Sequence, residues 1–329
     1  MVYLQFLLTA TIIVIAATKL SEYGDTIAVR TGMGKLFIGS LLLAGATSLP
    51  ELLAGVNALQ LREPDLAAGS FFGSGMFNIF MLGLLDLFFN RARLLRRVAA
   101  THALTASLGS LLTAMAALFI LTRIDLPKIG WIGVDSLLII AFYIGGISLL
   151  QGRGQVSATA EIVEIPESVP SLPKALLGFG FASLILVITT PTMVSSANQI
   201  AQITGIGVGF IGATLIAITT SLPELVATIA AARIGAYDLA VGNLFGSNIF
   251  NMFALGLTDL FYTPGRFLGA VDDSFAVIGL LVVILTCLGL IGNLARIERR
   301  ILLMEVDALL ILIGFFLGMY LLYVQGIQI

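Results

Sequence analysis

Long apolar runs separated by short polar turns set the pattern of this chain. Ten occur, at about 2–18, 34–60, 66–90, 98–122, 129–150, 174–198, 206–232, 239–262, 268–294 and 302–325. Each approaches or exceeds the roughly 20 apolar residues a helix needs to cross the hydrocarbon core of a bilayer. Lipid offers no partner for backbone N–H and C=O groups, so such runs predict helices rather than open strands. The one long polar interval, Gln151 to Pro173, carries Glu161, Glu164, Glu167 and three prolines. It reads as a linker (151–173) joining an N-terminal five-helix half, 1–150, to a C-terminal one, 174–329.

Composition agrees with this pattern and removes other classes. With 58% hydrophobic residues, 11% charged residues and a mean hydropathy of +1.06, the chain does not suit a soluble domain. A net charge of −2 without a basic tract gives no reason to expect a nucleic-acid partner. Cys287 is the only cysteine, so no internal disulfide is possible. Residues 2–18 lack the basic start and small-residue cleavage site of a signal peptide and read as a first membrane helix. The 35 glycines suit close helix packing in lipid. Arg91, Arg93, Arg96 and Arg97 cluster in one loop, and Arg296, Arg299 and Arg300 in another. Placing both loops inside the cell predicts a multi-pass protein of the cell membrane with both termini external and the linker cytoplasmic.

The chain also repeats itself. Thr31–Leu87 lies without a gap over Thr204–Leu260, and more than half of the positions are identical. Thr47-Ser48-Leu49-Pro50-Glu51 matches Thr220-Ser221-Leu222-Pro223-Glu224, while Gly73-Ser74 and Asn78 match Gly246-Ser247 and Asn251. An odd number of predicted crossings separates the copies, so the second enters the membrane upside down. The expected fold is an all-α membrane protein, its ten transmembrane helices forming two inverted five-helix repeats. Secondary transporters use such repeats to build one midplane site that opens to either side.

The repeat carries the chemistry. Glu51 and Glu224 fall within apolar runs, where a carboxylate costs about 2.5–3.5 kcal/mol on insertion scales and no Lys or Arg lies near in sequence. A proton or a bound cation would neutralise them. Pro50 and Pro223 lack an N–H and crowd the carbonyls of Ala46 and Thr219, so each is expected to free backbone oxygen beside its glutamate. Thr47 and Ser48 share a helical face with Glu51, and Ser74 and Asn78 stand four apart, as do Ser247 and Asn251. Taken singly, such hydroxyls often bond back to their own helix and such asparagines often join helices. Together with the duplicated glutamates they form an all-oxygen set, which suits hard cations such as Ca²⁺ and Na⁺ rather than zinc or copper.

A TSLPE helix followed by a GS-x-x-x-N helix, present twice, resembles the alpha repeats of the cation/calcium antiporter superfamily. The similarity is to its sodium/calcium exchanger branch of prokaryotic type, and it covers the ten-helix layout. The resemblance implies an antiporter, not an enzyme, that exchanges Ca²⁺ for Na⁺ by alternating access and needs no organic cofactor. It implies Glu51 and Glu224 as central carboxylates, with ligand oxygens from Thr47, Ser48, Ser74, Asn78, Thr220, Ser221, Ser247 and Asn251. The backbone carbonyls of Ala44 and Ala217 match family positions that also contribute. The partners implied are the ions and the bilayer, a monomer suffices, and the first and sixth helices slide across an eight-helix core.

Departures from the family pattern bear on the coupling ion. The glycine before Thr-Ser is Ala46 in one copy and Thr219 in the other, and the first copy has Ser70 and Gly75 where the second keeps Asn243 and Asn248. One of the two final positions is aspartate in several members; here both are asparagine, Asn78 and Asn251. Two fixed negative charges balance one Ca²⁺, two Na⁺ or two protons, whereas a third Na⁺ would be uncompensated. The GS-x-x-x-N motif favours sodium, with H⁺-coupled or K⁺-assisted exchange as the alternative.

Other chemistries fare worse. Asp86 and Asp259 are repeat-related, but inversion places them at opposite membrane faces, against an aspartyl protease and in favour of helix-end roles. A serine hydrolase built on Ser48 or Ser221 has only His102 as a base, and that histidine reads as interfacial packing. Carboxylates and carbonyls also make channel filters, yet channels repeat them around a pore rather than as an inverted pair. A cation sensor would have little use for two inverted copies.

Overall fold

The computed structural model describes residues 1–31, 45–88, 94–123, 126–154, 170–233, 235, 237–294, 300–301 and 304–327. The first half contains α1 (Val2–Thr31), α2 (Leu49–Gln60), α3 (Pro64–Phe88), α4 (Leu94–Thr122) and α5 (Val134–Gly154). The second contains α6 (Leu172–Thr204), the short α7 (Val208–Ile211) and a π-helical turn, Gly212–Ile216, that runs into α8 (Ala217–Arg233). There follow α9 (Tyr237–Thr258), a 3-10 turn at Asp259–Phe261, α10 (Phe267–Ala270), α11 (Asp273–Leu294) and α12 (Val306–Ile327). Among the described residues, eight helices are long and apolar enough to cross a membrane, and Val134–Leu150 is a shorter apolar helix. Of the run expected at 34–60, residues 34–44 lie outside the described residues, and a turn at Ser48 divides the rest.

Two helices outrun the apolar segments that announced them. α1 continues to Thr31 because its polar end is itself helix-compatible, with Lys19 and Glu22 paired at 2.6 Å one turn apart. α6 continues to Thr204 and ends at Gly205, whose φ of +69° is the left-handed cap that lets its N–H reach the Ala201 carbonyl. The linker expected at 151–173 is trimmed at both ends, since α5 extends to Gly154 and α6 begins at Leu172. The all-α architecture also carries two short antiparallel ladders between helices. Lys128–Ile129 pairs with Ile132–Gly133 before α5, and Arg300–Ile301 pairs with Met304–Glu305 before α12.

The helices differ in how deeply they are buried. The α3 span is 89% buried, against 39% for α1 and 17% for α6. α1 and α6 pack along each other, and α4 lies along α11. Leu4, Leu7, Leu8 and Ile15 on α1, with Leu177, Phe181 and Ile188 on α6, remain exposed, as lipid-facing residues do. At the centre, α3 packs on α2, α8, α9 and the π turn. Glycine allows this approach: a Cβ at Gly73 would stand 2.5 Å from Ala213 Cα, and one at Gly212 would stand 2.5 Å from the Leu66 carbonyl oxygen.

Candidate cation site

The two TSLPE motifs meet at the middle of this buried core, but their backbones differ. In the first copy α2 starts at Leu49, so Pro50 occupies the first turn, where its missing N–H costs no helical bond. Glu51 then falls in the first turn, where the helix dipole favours a carboxylate. Ser48 precedes the helix without capping it through its side chain. In the second copy α8 runs unbroken through Pro223, and the irregularity lies upstream in the π turn. Opening by proline, expected of both copies, therefore takes the form of a helix start in one and of an upstream π turn in the other. Pro223 still has no N–H to offer Thr219, and π turns recur at functional sites for the oxygen they leave available.

The hydroxyl that Ser48 does not spend on its own helix crosses to the other copy. Ser48 Oγ donates to Glu224 Oε1 at 3.3 Å, and Ser221 Oγ lies 3.1 Å from Glu51 Oε1. Thr47 stands beside Glu224 as Thr220 stands beside Glu51. Ser74 joins the group from α3, 3.0 Å from Ser221 Oγ, 3.5 Å from Glu51 Oε1 and 3.4 Å from the Ala217 carbonyl. Thr220 Oγ1 also bonds back to the carbonyls of Ile216 and Ala217, at 3.1 and 3.3 Å.

Both glutamates are fully buried, and among the described residues neither forms an ion pair with Lys or Arg. Each keeps one carboxylate oxygen, Oε2, without a hydrogen-bond partner. Asn78 Oδ1, Ser247 Oγ and both polar atoms of the Asn251 side chain are likewise buried and unpartnered. Buried polar atoms are nearly always satisfied, so these unpartnered ones call for an explanation. Among the described residues no group of three or more His, Cys, Asp or Glu side chains is poised to hold a metal. The donor set is two carboxylates with neutral oxygens around them.

The structure thus brings together Glu51, Glu224, Thr47, Ser48, Ser74, Thr220, Ser221 and the Ala217 carbonyl. Ser247 and Asn251 share the core but hydrogen-bond to neither glutamate. Ala44 lies outside the described residues. Two motif residues turn out to be part of the setting: Asn243 Nδ2 bonds the Glu224 carbonyl at 3.4 Å and Thr228 Oγ1 at 3.1 Å, and Asn248 contacts Asn78 at 2.8 Å. Their mismatch with Ser70 and Gly75 of the first copy was the available signal.

Asp259 takes a structural position, accepting the N–H groups of Gly133 and Phe267 at 2.8 Å each. This agrees with a helix-end role; the Asp86 side chain lies outside the described residues. The His102 ring packs against Gly242, where a Cβ would come within 2.9 Å of it.

Known proteins are similar to this chain in sequence and in fold. A family model described as sodium/calcium exchanger protein matches residues 1–150 and 174–325. The inner membrane protein YrbG of Escherichia coli (strain K12) is 34% identical over 268 residues, 79% of this chain and 80% of YrbG. Among solved structures, the sodium-calcium exchanger NCX_Mj is similar with a TM-score of 0.61 at 24% identity, covering 97% of this chain and 99% of that one. The H⁺/Ca²⁺ exchanger CAX is similar with a TM-score of 0.71 at 18% identity, covering 99% of this chain and 86% of that one.

Proposed function

The chain belongs to the sodium/calcium exchanger family, and from that premise we propose that it is a membrane antiporter exchanging Ca²⁺ for Na⁺ at a site between Glu51 and Glu224. The observation that carries the reading is the pair of fully buried glutamates, each held by a serine of the opposite repeat and each left with an unpartnered oxygen. Two carboxylates balance the charge of one Ca²⁺, and the Ser48, Ser74, Ser221, Thr47, Thr220 and Asn78 side chains with the Ala217 carbonyl supply the neutral oxygens that Ca²⁺ and Na⁺ take. Ser247 and Asn251 complete the set from α9, with Ala44 as the carbonyl counterpart of Ala217. Among the described residues neither carboxylate has a protein cation to neutralise it, so exchange of one ion charge for another keeps the low-dielectric site occupied during the crossing.

Ten helices in two inverted five-helix halves, 1–150 and 174–329, account for the cross-repeat bonding, because an inverted pair presents equivalent groups to opposite sides. α1 and α6 are the mobile pair: they pack on each other, carry exposed apolar faces, and border the site helices α8 and α2 respectively. Their sliding exposes the site to one face at a time. The arginine-rich loops and the linker lie in the cytoplasm, and both termini lie outside.

Proton-coupled exchange is the second reading, because asparagine at both Asn78 and Asn251 leaves two charges that two protons also balance. Uptake of Ca²⁺ into proteoliposomes loaded with Na⁺ separates the two. Uptake that requires the outward Na⁺ gradient, and is indifferent to K⁺ and to an imposed pH gradient, supports sodium coupling. Uptake driven by a proton gradient without Na⁺ moves the assignment to protons, and uptake with no counter-ion points to a channel.

A further inference from the structure

The two site asparagines are equivalent in sequence but not in surroundings. Asn78 Nδ2 donates to Asn248 Oδ1 at 2.8 Å, and Asn248 Nδ2 donates to the Gly75 carbonyl at 3.4 Å. A carbonyl only accepts, so the end of this relay fixes its direction. Asn248 has to turn its NH₂ toward Gly75, its oxygen then faces Asn78, and Asn78 has to answer with its own NH₂. The Asn78 oxygen is left buried and unpartnered on α3, one turn beyond Ser74, which contacts Glu51.

Among the described residues Asn251 has no such partner. The residue corresponding to Asn248 in the first repeat is Gly75, which carries no side chain, and both polar atoms of Asn251 are unpartnered. Packing does not demand glycine there: a Cβ on Gly75 would meet nothing nearer than Val282 Cγ1 at 3.9 Å. Nor is Asn248 tightly packed on every side, because it lines a small cavity with Ser110, Thr113, Phe245, Val282 and Thr286.

We infer that Asn248 is a positioning residue that locks Asn78 as an oxygen donor to the bound cation, while Asn251 stays free to present either its oxygen or its NH₂. The inference rests on the Ca²⁺ site proposed above. Its consequence is a site that is asymmetric in its neutral ligands, with a preorganised donor on the Glu51 side and an adaptable one on the Glu224 side. Residues that orient metal ligands typically change affinity about 10–100-fold when removed.

The test is Ca²⁺ binding to the purified full chain in detergent, measured calorimetrically for Asn248→Ala, Asn78→Ala, Asn251→Ala and the pairs of Asn248→Ala with each. Asn248→Ala is expected to weaken Ca²⁺ at least about tenfold. Combined with Asn78→Ala it should add nothing, since the group it orients is gone; combined with Asn251→Ala the two losses should multiply. Asn248→Leu, which keeps the volume, should behave as Asn248→Ala does and serves if the smaller residue prevents folding. Unchanged affinity in the Asn248 variants, or a loss that multiplies equally with both asparagines, overturns the inference and leaves the Ca²⁺ site standing. A wild-type chain that binds no Ca²⁺ overturns the site itself, and the inference with it.

Discussion

The hydroxyl of Ser221 lies 3.1 Å from Glu51 Oε1, so the carboxylate of the first repeat is held by the motif of the second. The relation is returned by Ser48, which reaches Glu224 at 3.3 Å. Each glutamate therefore takes a serine contact from the other repeat. Such mutual dependence suits the proposed carrier, in which the site helices α2 and α8 stay together while α1 and α6 slide across them.

Ser221→Ala and Ser48→Ala are expected to have similar effects for that reason. Each removes a neutral oxygen beside a buried carboxylate, where a hydrogen bond to a charged group is worth about 1.5–3 kcal/mol. The concentration of Ca²⁺ giving half-maximal uptake should rise about tenfold or more in each, tenfold being about 1.4 kcal/mol. A change in one variant with none in the other contradicts the reciprocal arrangement.

Gly73→Ala and Gly75→Ala should behave oppositely although only one residue lies between them. A methyl at Gly73 would be driven against the Ala213 backbone at 2.5 Å, whereas one at Gly75 fits with 3.9 Å to its nearest neighbour. Thermal unfolding in detergent is expected to show a loss of about 1–3 kcal/mol for Gly73→Ala, as for other overpacked positions. Gly75→Ala should unfold like the parent protein.

Asp259→Ala separates stability from transport. Without the carboxylate, the buried N–H groups of Gly133 and Phe267 both lose their acceptor. An orphaned buried donor costs about 1–3 kcal/mol, so the unfolding temperature should fall. The Ca²⁺ dependence of uptake by the protein that remains folded should be unchanged, and a large shift in it would assign Asp259 to the transport path.

The repeat made Glu51, Glu224 and their hydroxyl neighbours legible, because carboxylates that are costly in lipid stand in it twice at matched positions. Long apolar runs made most of the helices legible, although polar ends such as Lys19–Glu22 concealed how far α1 extends. Three features were not readable. The π turn at Gly212–Ile216 depends on how closely α3 approaches, and the two-residue ladders are too short to carry a pattern. The bond of Asn78 to Asn248 joins residues 170 positions apart, which no local signal encodes. The mismatch of Gly75 with Asn248 was visible, but its meaning needed the Gly75 carbonyl in place.

The central claim is that the cation crosses between Glu51 and Glu224, and Ca²⁺ uptake by proteoliposomes bearing Glu51→Gln or Glu224→Gln tests it most directly. Glutamine keeps the shape and removes the charge, leaving one carboxylate to balance a divalent ion in a low-dielectric site. Each variant should be correctly folded by thermal unfolding and show no Ca²⁺ uptake above that of empty vesicles. Near-normal uptake by either one would contradict the account.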